Sequence, residues 1–179
     1  CIRDRAHGEN GDDPGYGLMQ ADAFFRSPQY YVFPLWARFG GEMLPVENPF
    51  PADSALSVYA GRVDGNTYSV LAINKTAGAV SVDIEVDGVS AFSGGLADVV
   101  RADSLDAKTV TFNGSADPSN DLSSAPSTVI PAGSSPLPFT FQPFSITLLR
   151  LDTTGDAPPP PETDLPARNY LPLVYFRGG

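Results

Sequence analysis

The sequence predicts an all-β fold, an antiparallel β-sandwich of about eight strands preceded by one short, aromatic-rich helix. Three observations support this. Short apolar stretches alternate with turn signals from residue 41 to residue 152. No helical pattern separates these stretches, so the strands cannot form a parallel array of βαβ units. The 179 residues include 18 Pro and 17 Gly, which excludes a protein built from long helices.

The first predicted element is a short helix over residues 28–39. Ser27 can occupy the N-cap, Pro28 suits the first helical position and Gly40 can close the C-terminus. We expect a kink at Pro34, because a proline inside a helix removes one backbone hydrogen bond. Apolar side chains point in every direction around this helix, so it needs partners on two sides.

The strand Ala79–Asp87 shows the clearest β pattern. Every second residue is aliphatic, so the aliphatic side chains share one face, and Ser81, Asp83 and Glu85 share the other. One face of this strand therefore belongs to the core and the other to solvent. The same combination of apolar runs and turn signals predicts strands at Leu56–Arg62, Thr67–Asn74, Leu96–Arg101, Lys108–Asn113, Ser127–Ile130, Pro138–Phe141 and Ser145–Leu151.

Composition divides the chain into residues 1–40, the sandwich at residues 41–152, and a Pro-rich linker with a short tail at residues 153–179. Four consecutive prolines, Pro158–Pro161, favour an extended spacer. The tail is apolar and β-prone, so it can add a strand to an open sheet edge, in this chain or in a neighbour. A processed tail without such a partner is the alternative.

The charge, apolar runs and cysteine content of the chain limit the kinds of partner and cross-link that it can have. The chain carries 11 Lys+Arg against 21 Asp+Glu, a net charge of −10, which argues against nucleic acid. No apolar run approaches the roughly 18 residues that would span a membrane. The single cysteine, Cys1, excludes a disulfide within the chain, and its position fits either a lipidated N-terminus or the start of a fragment.

Several segments resemble a known family. Gly17–Asp22 and Ser27–Gly40 look like the last barrel strand, loop and helix of secreted (β/α)8 glycosidases, which continue into a C-terminal β-sandwich. Leu71–Thr76 is similar to the strand of that sandwich that ends in Asn-Lys-Ser/Thr, and Pro143–Leu151 is similar to its closing strand. The nearest relatives by this resemblance are retaining glycosidases of the endoglucanase/xyloglucanase and α-L-arabinofuranosidase types. Residues 1–40 would then be a remnant of the barrel end with its connecting helix.

The resemblance implies no catalytic residue in this chain. A retaining glycosidase needs two carboxylates about 5 to 5.5 Å apart, and in these families both are Glu on barrel strands that would precede Cys1. A barrel needs about 250 residues, more than this chain holds. We therefore expect that the chain is not an enzyme by itself and that its parent protein is a glycoside hydrolase. The glutamates present are Glu9, Glu42, Glu47, Glu85 and Glu162.

Aromatic residues are the main candidates for contacts. Tyr59 and Tyr68 could contact carbohydrate, because sugar rings stack on aromatic side chains, and core positions are the alternative for both. The apolar residues of the helix and the tail are expected at an interface with a catalytic barrel or with neighbouring copies. These interface residues are Tyr30, Tyr31, Phe33, Trp36, Phe39, Tyr170, Leu171, Leu173, Val174, Tyr175 and Phe176.

The sequence also contains candidate glycosylation sites and one candidate calcium site. Asn74 and Asn113 each begin an Asn-X-Ser/Thr sequence and could carry a glycan. The loop Glu9–Asp13 offers oxygen ligands for calcium, with a solvated loop as the alternative, and no other metal or cofactor is expected.

Three functions stay open. The first is a non-catalytic accessory sandwich of an extracellular polysaccharide-degrading enzyme, with the catalytic barrel of the same parent protein as its partner. The second is a self-assembling structural or filament subunit, with neighbouring copies as partners. The third is a stand-alone carbohydrate-binding module, which predicts a solvent-facing row of aromatic side chains. All three place the protein outside the cell or at the cell surface.

Overall fold

The strands assemble into two packed sheets and one short ribbon. The computed structural model describes residues 19–20, 25–50, 56–154 and 173–178. Its elements are helix α1 (Pro28–Phe39) and the strands β1 (Met19–Gln20), β2 (Phe25–Arg26), β3 (Glu42–Leu44), β4 (Val46–Glu47), β5 (Leu56–Arg62), β6 (Thr67–Asn74), β7 (Val80–Val86), β8 (Ala91–Arg101), β9 (Thr111–Phe112), β10 (Thr128–Ile130), β11 (Gly133–Ser134), β12 (Leu137–Phe141), β13 (Ser145–Thr153) and β14 (Val174–Gly178). The predicted all-β sandwich with one helix is confirmed.

The larger sheet has the strand order β10-β8-β13-β6-β5-β3, and β9 and β11 also pair with β8. All of its pairings are antiparallel. The smaller sheet has the order β12-β7-β14-β4. Its pairings are antiparallel except that β14 runs parallel to β4. The strands β1 and β2 form the ribbon that precedes α1.

The main core lies between the two sheets. Val82, Ile84 and Val86 of β7 are buried there, as the alternating pattern of that strand predicts. Ala60, Tyr68 and Val70 of the larger sheet face them within the same cluster of buried side chains.

The larger sheet is buried on both faces at its centre. Residues 68–72 of β6 are all buried. Val70 belongs to the core between the sheets, whereas Leu71 belongs to a second cluster beneath α1. Since successive side chains of a strand point to opposite faces, a continuous apolar run requires cover on both sides. The helix supplies the second cover.

Strand β8 begins earlier than predicted, at Ala91 instead of Leu96. Gly94 and Gly95 lie inside the strand. A Cβ atom on Gly95 would stand 2.3 Å from the carbonyl oxygen of Arg150, so glycine allows β8 and β13 to approach closely. The opposite error occurs at Lys108–Asn113, where only Thr111–Phe112 forms a strand.

The C-terminal tail is part of the sandwich in this chain. Strand β14 lies between β7 and β4, with Val174 opposite Val86 and Phe176 opposite Ile84. Val174 and Phe176 are buried in the main core, so in this conformation the tail adds its strand to the sheet of its own chain, the first of the two predicted arrangements. Part of the segment 153–179 therefore belongs to the sandwich.

Candidate functional site

Helix α1 attaches to the larger sheet through one stripe of side chains. Tyr31, Leu35 and Phe39 are spaced four residues apart, so they share one face of the helix, and all three are buried. They pack on the outer face of the larger sheet and on the loop before β10, against Leu71, Val100, Phe112, Leu122, Ala125 and Leu148. The predicted interface role is wrong for Tyr31 and Phe39, because both are buried within this chain.

The other side of α1 presents aromatic side chains to solvent. Phe33 is 59% exposed, Trp36 is 47% exposed, and Tyr59 of β5, which lies beside Trp36, is 39% exposed. The ring centroids of Trp36 and Tyr59 lie 6.1 Å apart. We call Phe33, Trp36 and Tyr59 the aromatic face. Large apolar side chains grouped at a protein surface mark contact sites more often than those scattered singly.

Met43 of β3 extends this surface. It is 53% exposed and pairs with Gly61 of β5, so it shares the outer face of the sheet with Tyr59. The neighbouring residue Leu44 points the other way and is buried in the main core. The exposed apolar surface therefore continues from the helix to the edge strand of the larger sheet.

Two glycines bring the end of the helix close to the sheet. A Cβ atom on Gly61 would stand 3.2 Å from Cζ of Phe39. Gly41 has φ +84°, and a Cβ atom there would stand 2.0 Å from the carbonyl oxygen of Arg62. This close approach places Trp36 beside Tyr59.

Arg26 anchors the start of the helix. Its guanidinium donates a hydrogen bond to the carboxylate of Asp117 and another, of 2.6 Å, to the carbonyl oxygen of Pro118. The same group lies 5.7 Å from the ring centroid of Tyr30 and 5.5 Å from that of Tyr31, within the range of a cation–π contact. The predicted interface residue Tyr30 is half-buried under this arrangement.

A buried carboxylate anchors the other end of the helix. Asp98 of β8 is 1% exposed, and Nη1 of Arg38 in α1 donates a hydrogen bond of 2.7 Å to it. Ser127 and Asn113 donate two more, of 2.6 and 2.9 Å. Burial alone would raise the pKa of Asp98, but these hydrogen bonds and the charge of Arg38 hold it below the ordinary value. The sequence does not reveal this cluster, since its members come from four separate segments.

Tyr68 is wrong as a predicted carbohydrate contact. The residue is 0% exposed and lies in the main core between the sheets. Burial raises the pKa of its hydroxyl, and the charge of Arg62 opposes part of that effect. No sugar ring can reach this side chain in the fold, whereas Tyr59 on the preceding strand remains accessible.

Neither predicted glycosylation site has a free amide. Nδ2 of Asn74 donates hydrogen bonds to the carbonyl oxygens of Gly78, Phe141 and Gln142, and the residue is buried. Nδ2 of Asn113 donates to Asp98 and to the carbonyl oxygens of residues 125 and 126. A glycan attaches through this nitrogen, so glycosylation of either residue in the folded chain would displace these hydrogen bonds.

Two described glutamates, one in each sheet, form ion pairs. Glu42 accepts a hydrogen bond of 2.9 Å from Arg62, and Glu85 lies 2.9 Å from Nη2 of Arg177. No group of three or more His, Cys, Asp or Glu side chains that could hold a metal ion occurs among the described residues. The predicted calcium loop Glu9–Asp13, as well as Tyr170 and Leu171, lie outside those residues.

A groove of about 540 Å³ lies on another side of the sandwich. It runs between β10 and β11 of the larger sheet and β12 of the smaller sheet, and its lining includes Ile130, Leu137 and Phe139. Val129 at this groove is 72% exposed. The sequence did not predict it, because its two walls belong to different sheets. Within the described part of the chain, no helix is long and apolar enough to cross a membrane.

Comparison with known proteins gives matches in structure but not in sequence. No protein-family model matches the sequence, and no curated protein matches it. An arabinose-bound GH51 α-L-arabinofuranosidase matches with a TM-score of 0.51 and 16% identity, over 72% of this chain and 20% of that one. A GH30 endoxylanase from Clostridium papyrosolvens C71 matches with a TM-score of 0.50 and 18% identity, over 76% of this chain and 30% of that one.

A third solved structure matches to a similar extent. The α-L-arabinofuranosidase from Thermotoga maritima, in complex with arabinose, has a TM-score of 0.51 and 17% identity, over 73% of this chain and 30% of that one. At these identities the likeness establishes the fold. The chain has the fold of a part of these glycoside hydrolases, and the matched part is at most 30% of each enzyme.

Proposed function

We propose that this chain is the non-catalytic accessory β-sandwich of an extracellular, polysaccharide-degrading glycoside hydrolase. In this proposal the catalytic barrel of the same parent protein covers the aromatic face. The single observation that carries the proposal is that face: Phe33 and Trp36 are held outwards on a helix whose opposite side is fixed to the sandwich.

Exposure of large aromatic side chains to water is unfavourable. Each large aromatic side chain that is removed from water stabilises a complex by roughly 1.5 to 3 kcal/mol. The aromatic face is also held rigidly, since Arg26 and Arg38 tie the two ends of α1 to the sandwich. A rigid apolar surface loses little conformational entropy on docking, so it suits a permanent contact with another domain.

The acidic side chains of the two sheets favour a structural role for this domain instead of a catalytic one. A glycosidase acid/base needs a carboxyl whose pKa is raised by an apolar environment. Glu42 and Glu85 instead form ion pairs with Arg62 and Arg177. Most of each matched arabinofuranosidase and of the xylanase lies outside the match. We assign catalysis to the part of the parent protein that corresponds to this unmatched portion.

The first test is the intact mass of the natural protein from its source. The proposal expects a mass above 18.9 kDa by a barrel of roughly 250 residues. A natural mass near 18.9 kDa contradicts it.

The second test replaces the aromatic face in that parent protein. The variant Phe33→Ser/Trp36→Ser should separate one cooperative thermal transition into two, because the two domains lose their contact. Val129→Ser is the matched control, since Val129 is also exposed but lies on another side of the sandwich. A double variant that melts like the parent protein contradicts docking through the aromatic face.

The second candidate function is self-assembly as a structural or filament subunit. The same aromatic face would then be covered by neighbouring copies. Light scattering of the 179-residue chain at increasing concentration tests this candidate. Mass growth that Trp36→Ser abolishes and Val129→Ser preserves would favour self-assembly, and a monomer at every concentration would exclude it.

A stand-alone carbohydrate-binding module is the third candidate. The exposed pair Trp36 and Tyr59 is the observation in its favour. However, the planes of the two rings meet at 57°, so they do not form the flat platform on which a sugar ring stacks. Retention on a polysaccharide affinity gel, lost in Tyr59→Ala, would support this candidate, and retention that Tyr59→Ala leaves unchanged would contradict a role for this pair.

A further inference from the structure

Strand β14 is the last element of the chain, yet it lies inside the smaller sheet. It pairs with β7 on one side and β4 on the other, so both of its edges are hydrogen-bonded. Val174 and Phe176 fill the main core, and Tyr175 and Arg177 point to the solvent face. Among the described strands, β14 is the one partner of β4 in the smaller sheet. Removing β14 would therefore leave a slot lined by core residues.

The chain that leads to β14 is much longer than this slot requires. Thr153 at the end of β13 pairs with Phe92 near the start of β8. The carbonyl oxygen of Leu173, just before β14, accepts a hydrogen bond from the backbone of Asp87 in the turn between β7 and β8. Both points thus lie at the same end of the sandwich, where packed sheets are about 10 Å apart.

Residues 155–172 connect these two points, and six of these residues are prolines. A chain of this length can span roughly 55 Å at the rise of an extended proline-rich segment. The effective concentration of a tethered strand falls as its linker becomes longer than the distance to be bridged. The same excess of length allows the strand to reach a slot in another molecule.

We propose that β14 is exchangeable between molecules, so that the slot between β4 and β7 of one copy accepts Val174–Gly178 of a second copy. The contacts in the slot are the same in both arrangements, and only the path of residues 155–172 differs. A reciprocal exchange joins two copies, and a one-way exchange adds copies in succession. This inference concerns a different surface from the aromatic face and does not rest on the proposed function.

A disulfide trap in the full chain tests the exchange. Glu85 and Tyr175 stand opposite each other on the solvent face of the smaller sheet. One copy carries Glu85→Cys and a second, tagged copy carries Tyr175→Cys, both with Cys1→Ser. The two copies are unfolded, mixed, refolded together at increasing protein concentration and then oxidised. Non-reducing electrophoresis identifies the mixed dimer by its tag.

The matched control replaces Glu85→Cys by Ser81→Cys. Ser81 lies on the same face of β7 but about 13 Å along the strand, too far from residue 175 for a disulfide. The proposal expects a mixed dimer for the Glu85 and Tyr175 pair that grows with protein concentration and exceeds the control several-fold. The dimer should also form in a Trp36→Ser background, which separates strand exchange from association through the aromatic face.

A chain that carries both Glu85→Cys and Tyr175→Cys establishes that the pair can be bridged. If this chain closes its own disulfide while the mixed refolding yields no more dimer than the control, the strand stays in its own molecule and the proposal is overturned. Equal amounts of dimer in the test and control mixtures also overturn it, because the cross-link would then report random collisions.

Discussion

Asp98 receives hydrogen bonds from Arg38, Asn113 and Ser127, which belong to three separate parts of the chain. A buried carboxylate is unfavourable unless such partners surround it. Its loss would remove one acceptor from each of Arg38, Asn113 and Ser127. At this scale, one side chain links the helix, the β8 strand and the loop around Asn113.

We expect Asp98→Asn to lower the free energy of unfolding by about 2 kcal/mol, because an amide cannot accept all of these hydrogen bonds. The folded-state pKa of Asp98 lies below its ordinary value of 3.8. The stabilisation is therefore present above about pH 4 and is lost as the pH falls through the lowered pKa. Urea unfolding between pH 2 and 7 measures both effects, and a variant that keeps the full acid dependence of the parent chain contradicts this role.

At the scale of elements, the junction between α1 and the larger sheet depends on glycine. Gly40 and Gly41 both have positive φ, 44° and 84°, but their surroundings differ. No atom lies within 4 Å of a Cβ atom built on Gly40, whereas such an atom on Gly41 would overlap the carbonyl oxygen of Arg62. Alanine substitutions at the two positions therefore distinguish the cost of backbone strain from the cost of steric overlap.

Gly40→Ala should cost about 1 kcal/mol of unfolding free energy, from its strained positive-φ backbone alone. Gly41→Ala should cost about 3 kcal/mol or more, since β3 must also move away from β5. Chemical denaturation of the two variants checks the difference. Equal losses would mean that the junction adapts without strain.

The two sides of α1 should also respond differently to substitution. Leu35→Ala removes a fully buried side chain and should cost about 2 to 5 kcal/mol. Phe33→Ser on the aromatic face should change the stability of the isolated chain by no more than about 0.5 kcal/mol. Thermal unfolding of both variants tests this, and a large loss for Phe33→Ser would show that the aromatic face is already covered within the chain.

For the whole molecule, the sandwich is completed by its two most distant parts. Strand β4, from the start of the sandwich, and β14, from its end, pair in parallel. Antiparallel neighbours can be joined by a short turn, but a parallel pair needs a long connection, and here nearly the whole domain lies between the two strands. The last strand therefore contributes to the stability of the domain as a whole.

Phe176→Ala should cost about 3 to 5 kcal/mol, because a buried aromatic side chain leaves a cavity in the main core. Tyr175→Ala, on the solvent face of the same strand, should cost less than about 1 kcal/mol. Urea unfolding of the two variants measures both losses of unfolding free energy. Similar small losses for both would contradict the placement of β14 in the core.

Local patterns predicted most of the elements. Leu56–Arg62 and Thr67–Asn74 coincide residue for residue with β5 and β6, because short apolar runs and the turn residues that bound them are local features. Helix α1 also has its predicted bounds, between Ser27 and Gly40. The start of β8 could not be predicted in this way, since the reason for Gly95 lies on β13.

The candidate site was only partly predictable, because burial is a property of segments that meet in space. Tyr59 and Tyr68 look alike in sequence, but one faces the helix side of the larger sheet and the other faces the main core. Asn74 and Asn113 match a modification signal in sequence, but their amides are occupied by backbone and carboxylate partners.

The sequence by itself determined the fold class, the helix and most strands, because hydrophobic period, turn residues and helix caps are local properties. Only the tertiary structure decided which aromatic side chains stay exposed, that Asp98 joins α1 to β8, and that the tail enters the smaller sheet. Each of these depends on which distant strands pair and which face they turn inwards. That choice is made by packing over the whole domain, since each apolar face must find a partner to leave water.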